Sequence, residues 1–251
     1  MQKTEISTTP RPNTFSVPSN VEGWKSISLS PDLRVIVHEE RPIWSAATEA
    51  QVEAIWSQAK QARPRLFNGR IFCADRIEPD CIMGHWTEYR LALAQMTDPL
   101  IFGDRPLQQL AVCGLLHCPE GVVLARRNPS SIYLGGCWQS PPAGTVESRT
   151  ETGVVSLSDQ ILAEAKEELG LDKTELIVGN PRIAMIHGRT RIVDIGIPLT
   201  TSLPFTALER RWRDNANTEY DLITCIPMTE SHQWRLRKDI LPTTQTLLQQ
   251  L

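Results

Sequence analysis

The chain has 251 residues, of which 41% are hydrophobic and 22% charged, with a formal net charge of −3 at pH 7. That is the make-up of an ordinary globular protein, long enough for one large domain or two small ones. A slightly acidic balance argues against a nucleic-acid coat or a docking partner for anionic membranes, and no apolar run reaches the roughly 18 residues that a membrane helix needs.

Residues 1–20 are polar, contain three prolines and are rich in Ser and Thr. They read as a disordered or extended tail without the apolar centre of a secretion signal, which suggests a cytoplasmic protein. Residues 21–105 read as a small N-terminal α/β region. In it, Leu33–His38 forms a strand, and Thr48–Ala62 forms a helix with Val52, Ile55 and Trp56 on one face. Asn68-Gly69 reads as a hairpin-type turn between apolar residues, and Thr87–Gln95 as a second helix.

Asp104-Arg105-Pro106 marks a divide, and residues 106–251 read as the main domain. Leu107–His117 and Gly121–Arg127 form two strands around the tight turn Cys118-Pro119-Glu120-Gly121. An acidic helix follows. Arg182–His187 and Arg191–Leu199 are strands joined through Gly188. Leu203–Trp212 is a helix or ordered loop, Tyr220–Ile226 a strand and Pro242–Leu251 a closing helix. Strands alternating with helices predict an α/β fold whose mixed sheet is covered on both faces.

Cysteine chemistry contributes little. The six cysteines (Cys73, Cys81, Cys113, Cys118, Cys137 and Cys225) include no C-x-x-C pair. Cys113 and Cys118 flank His117, but Ala111–Leu116 reads as a buried strand, where cysteine behaves as a small apolar residue. Free structural thiols in a reducing compartment are expected.

The chemistry concentrates in Ile161-Leu162-Ala163-Glu164-Ala165-Lys166-Glu167-Glu168-Leu169-Gly170-Leu171. On a helix, positions 164, 167 and 168 are neighbours, so three carboxylates share one strip. Ile161, Leu162, Ala165 and Leu169 form an adjoining apolar strip, and Gly170 is placed to stop the helix. Crowded carboxylates repel one another, and a hard divalent cation bound by oxygens relieves that repulsion. A Glu/Lys-rich strip is commonly just a solvated face. The preceding Trp138, Pro141-Pro142 and Gly144 change the balance, because they force a tight turn and let backbone approach a ligand.

Together these residues resemble the signature of Nudix hydrolases. Ala163–Leu171 follows the helical half of that signature at every position but the first, Gly144 matches its opening glycine, and Trp138 with Pro142-Ala143-Gly144 resembles the run-in. Two departures stand out. Ala163 replaces the family's arginine, and the interval from Gly144 to Ala163 is nineteen positions where the family has fourteen. Glu147 and Glu151 are both candidates for the loop glutamate, and Arg149 for a substitute cation. Leu66-Phe67-Asn68-Gly69 and Thr87-Glu88-Tyr89-Arg90 are similar to the UDP-sugar diphosphatase branch, which also carries an N-terminal extension.

The resemblance implies an α/β/α sandwich and hydrolysis of a nucleoside diphosphate linked to another group, UDP-sugar first. ADP-ribose, a coenzyme or a nucleoside triphosphate are alternative substrates, and a nucleotide-binding or regulatory protein without turnover is an alternative of another class. It implies Mg2+, with Mn2+ as substitute, held by Glu164, Glu167, Glu168 and the Gly144 carbonyl, and Glu164, Glu168 and Glu219 as catalytic carboxylates. Arg126, Arg127, Arg189, Trp138 and Tyr89 are candidates for phosphate and base. Arg191, His85 and Trp86 are further cleft candidates, while Trp56, Trp212 and Trp234 read as core or interface. The partner is a small nucleotide, not a nucleic acid or membrane, and the resemblance allows a homodimer.

Overall fold

The computed structural model describes residues 23–149 and 153–251. The expected tail over residues 1–20 and the loop candidate Glu151 lie outside the described residues. The N-terminal part holds β1 (Trp24–Ser28), β2 (Arg34–Val37), α1 (Ala46–Ala62), β3 (Arg70–Ile77), β4 (Cys81–Glu88) and α2 (Tyr89–Thr97). The long strand β5 (Gln108–Cys118) and β6 (Gly121–Arg127) follow, then the short strands β7 (Trp138–Gln139) and β8 (Ala143–Thr145). The acidic helix is α3 (Leu157–Leu169). After it come β9 (Ile177–Val178), β10 (Ile183–His187), β11 (Val193–Thr200), α4 (Phe205–Asn215), β12 (Tyr220–Ile226), α5 (Ser231–Arg235) and α6 (Pro242–Gln249).

Two readings of the N-terminal part change. Asn68-Gly69 is not a hairpin turn but part of the link from α1 to β3; the β3–β4 hairpin turns farther on, where the Glu78 amide donates to the Cys81 carbonyl at 2.9 Å. The helix expected from Thr87 starts at Tyr89, because Thr87 and Glu88 still pair with Ile71 and Arg70 as the end of β4. The two errors share a cause. Helix α2 has no side-chain cap of its own, and Asn68 supplies one from a distant segment by accepting from the Arg90 amide at 2.9 Å and donating to Glu88 at 2.7 Å.

The sheet is mixed and runs through the 105/106 divide. Strand β5 pairs in parallel with β11, β10 pairs antiparallel with β11, and β1 pairs antiparallel with β10. On the other side, β3 meets β5 at Cys73↔Gln109 and pairs with β4, which β2 joins in parallel.

Alternation along β5 separates two cores, since successive side chains of a strand point to opposite faces. Leu110, Val112 and Leu116 enter the cluster formed by Leu157, Ile161, Ala165 and Leu169 of α3. Leu115 enters another, with Ile183, Met185, Leu247 and Leu248, the last two from α6. Helices thus cover both faces, as the order of elements predicts. All six cysteines are free thiols, and burial pushes those of Cys73 and Cys113 up. No helix among the described residues is long and apolar enough to cross a membrane.

Candidate metal and phosphate site

Helix α3 is fixed before any chemistry is considered. Ser156 caps it by accepting from the Asp159 amide at 3.1 Å. Leu157, Ile161, Ala165 and Leu169 recur at intervals of four and are all buried. Gly170, at φ +67°, ends the helix in the left-handed conformation. With the apolar stripe locked in, Glu164, Glu167 and Glu168 have no freedom to choose another face.

The three carboxylates line one wall of a cavity of about 510 Å3, together with Ala143, Gly144 and Thr145 of β8. Gly144 is packed against Glu164 so closely that a Cβ there would overlap the carboxyl group. Glu168 is 3% exposed and accepts from the Ala143 amide at 3.1 Å and the Tyr220 hydroxyl at 2.9 Å. Tyr220 in turn accepts from Gln139 at 2.8 Å.

Burial raises the Glu164 carboxyl to about 7, an effect that the Glu167 charge reinforces and the Gln160 hydrogen bond opposes. Burial also raises Glu168 well above the usual carboxylate range, with Glu164 and Glu219 adding to it. Glu167 is the most exposed of the three.

An arginine reaches the helix from the loop that precedes it. Arg149 donates to Glu167 at 3.0 Å, to Glu164 at 3.3 Å and to Gln160 at 3.1 Å. Gln160 also holds Glu164 at 2.5 Å and accepts from the Glu147 amide at 3.1 Å, so the lengthened loop and the helix are tied through Gln160 and Arg149. Glu147 is exposed, and the partial desolvation of its carboxyl raises it. Among the described residues, the three carboxylates do not bring one oxygen each within 4.8 Å of one another.

Arg127 and Glu219 also line the cavity and form an ion pair at 2.7 Å. Arg127 also donates to the Tyr133 carbonyl at 3.1 Å. Tyr89 lines the same cavity. The residues gathered there are therefore Glu164, Glu167, Glu168, Gly144, Glu219, Arg127 and Tyr89.

Arg126, Trp138, Arg189 and Arg191 are not part of the lining. Arg126 makes a two-pronged bond to Asp221, at 2.9 and 2.7 Å. Trp138 packs edge-on against Trp234, with the Arg237 guanidinium above both rings. His85 and Trp86 lie elsewhere too: His85 bonds Asp75, and the Trp86 indole donates to the Gly153 carbonyl at 2.9 Å.

Sequence reasoning missed Tyr220, Gln109, Asp194 and Arg63. Gln109 is 5% exposed; its amide donates to Thr145 at 2.6 Å while its carbonyl oxygen has no partner among the described residues. Burial raises the Asp194 carboxyl to about 6, and the Thr243 hydroxyl donates to it at 2.9 Å. An Asp or Gln inside an apolar strand run was the available signal.

The donor set suits a hard cation such as Mg2+. Two carboxylates, Glu164 and Glu168, repel each other at one cavity wall, and because Mg2+ keeps several waters, two carboxylates could serve as its protein shell.

No family model matches the chain, and no curated protein matches it. Several solved structures are similar in fold. DR0079 from Deinococcus radiodurans is 15% identical, with a TM-score of 0.46 over 72% of this chain and 98% of that one. The MutT protein of Methanosarcina mazei Go1 is 14% identical, with a TM-score of 0.38 over 57% and 91%. An Ap4A hydrolase of C. elegans is 13% identical, with a TM-score of 0.39 over 56% and 93%. Likeness at this level fixes neither family nor activity, and the functional reading rests on the chain's own side chains.

Proposed function

We propose that the chain is a Nudix-type hydrolase of phosphoric anhydrides, dependent on Mg2+ or Mn2+, which cleaves a nucleoside diphosphate joined to a second group. The observation that carries this reading is the pair of carboxylates, buried Glu168 and largely buried Glu164, on the wall of a cavity that Arg127 also lines. Burying two acids of like charge side by side is costly without a ligand that uses them.

Glu164 and Glu168 would hold the ion, which supplies charge neutralisation at the phosphate oxygens and acidifies a water. Burial lifts the Glu164 carboxyl to about 7 in the metal-free site, so near neutral pH a bound cation displaces a proton there as it restores the carboxylate. The Ala143 amide and Tyr220 hydroxyl fix the Glu168 carboxylate, so its orientation does not have to be found during the reaction. Arg127 offers a forked donor to a phosphate, with Glu219 setting its orientation. Tyr89 offers a face for a base, and the unpartnered Gln109 oxygen accepts from a donor on the ligand. A UDP-sugar is the preferred substrate, yielding a nucleoside monophosphate and a sugar 1-phosphate; ADP-ribose, a coenzyme or a nucleoside triphosphate would engage the same groups.

One observation favours a second reading, a nucleotide-binding or regulatory protein without turnover: Arg149 already neutralises Glu164 and Glu167. A panel of nucleotides incubated with Mg2+ and scored by phosphate release after phosphatase treatment separates the two. Turnover that disappears in Glu168→Gln, with folding retained, supports the hydrolase. Nucleotide binding without turnover in the wild type supports the binding protein.

A further inference from the structure

Three neighbouring strands bring a second set of metal-ligating groups together, away from the acidic helix. His38 follows β2, and its amide donates to the Gly84 carbonyl at 2.9 Å, which sets it beside His85 of β4. In β3 the register with β4 shifts between Ala74 and Arg76, so Asp75 is the extra residue of a bulge. A bulge re-aims a side chain that a regular ladder would send elsewhere. Here it turns one Asp75 oxygen to both imidazoles, 2.9 Å from His38 Nε2 and 2.7 Å from His85 Nδ1.

The histidines have no other polar role. His85 is 1% exposed, and its Nε2, like Nδ1 of His38, is buried without a partner among the described residues. Each ring therefore spends its only polar interaction on the shared point. One face of that point is open. His38 and Asp75 line a cavity of about 580 Å3, whose wall also carries Glu40, Arg41, Asp104 and Arg105.

We propose that His38 Nε2, Asp75 and His85 Nδ1 bind a divalent transition-metal ion, Zn2+ first among them, with at least one coordination position open to this cavity. Two imidazoles and one carboxylate suit Zn2+ and its neighbours in the series rather than Mg2+ or Ca2+, which take oxygen sets. These three ligand atoms lie within 4.8 Å of one another, the only such group among the described residues. Ligands around a four-coordinate ion at about 2.0–2.2 Å sit roughly 3.3 Å apart, so both imidazole–carboxylate contacts, at 2.9 and 2.7 Å, must lengthen to admit the ion. Three protein ligands and an open fourth position are the pattern of a reactive ion rather than a closed structural one.

The test uses Co2+ as a spectroscopic probe and Zn2+ as its competitor, on the full chain. One equivalent of Co2+ should give the visible band of an imidazole-ligated ion, and Zn2+ should displace it. His38→Ala and Asp75→Asn alter side chains that are each about one-third exposed, so the fold should survive, as circular dichroism can verify. Both should weaken Co2+ binding at least tenfold, while Glu164→Gln at the other site should leave the band in place. Absence of Co2+ and Zn2+ binding by the wild type, a band unchanged in His38→Ala, or a band lost in Glu164→Gln would each overturn the assignment.

Discussion

The guanidinium of Arg149 reaches the carboxylate of Glu164 at 3.3 Å from the far side of a lengthened loop. A cation from outside the helix thus stands beside the acid best placed to bind a metal, and the same arginine holds Glu167 at 3.0 Å. Metal entry must compete with these bonds.

Arg149→Gln should therefore tighten divalent-metal binding. A partly exposed ion pair contributes roughly 0.2–1 kcal/mol, so Mn2+ affinity, followed by electron paramagnetic resonance, should rise about two- to fivefold. An unchanged or weaker affinity would show that Arg149 braces the loop without opposing the ion.

Gly144→Ala should disrupt the site from the strand that backs Glu164. The added methyl overlaps the Glu164 carboxyl, so helix and β8 must separate or the carboxylate must rotate away. Overpacking of this kind costs about 1–3 kcal/mol, and turnover should fall by more than tenfold. Thermal denaturation and nucleotide hydrolysis measured on the same preparation check both effects.

Stability should depend on pH in a direction set by burial. Folding raises the Glu164 carboxyl from 4.5 to about 7. Its contribution to stability is complete below pH 4.5 and is lost as pH rises through about 7; Glu168 acts in the same direction. The metal-free protein should thus lose stability on going from pH 5 to pH 8, and added Mg2+ should reduce that loss. Melting curves across this range, with and without Mg2+, test the sign. Glu164→Gln should flatten the profile.

Two adjacent arginines should behave differently. Arg127 faces the cavity and leaves Glu219 without its cation when removed, so Arg127→Met should raise KM at least tenfold and lower stability by about 1–3 kcal/mol. Arg126→Met, whose partner Asp221 lies outside the cavity, should change neither KM nor kcat appreciably. Steady-state kinetics on the two variants decide the matter.

How much the sequence discloses depends on whether a residue's signal is local. Helix α3 was legible because its apolar interval of four, its Ser156 cap and its Gly170 stop all act within the element. Strands β5 and β6 were legible because long apolar runs announce buried strands. Asn68 was misread because its turn-forming side chain serves a helix more than twenty residues away. The cavity was legible on the side that α3 contributes and, beyond it, at Tyr89, Arg127, Gly144 and Glu219. Arg126 and Arg127 are adjacent in sequence, yet strand alternation sends one to Asp221 and the other to Glu219. Tyr220 and Gln109 reach the site through pairings of β12 with β6 and of β3 with β5, which no single window of residues encodes.

The interleaving of β1 and β3 with the later strands has a practical outcome for anyone who trims the chain. A fragment begun at residue 106 would uncover the ladder on β10 that β1 now closes, and the stretch of β5 at Gln108 and Gln109 that β3 now closes. Bare strand borders recruit other chains. Such a fragment should self-associate, whatever its intrinsic affinity for nucleotides.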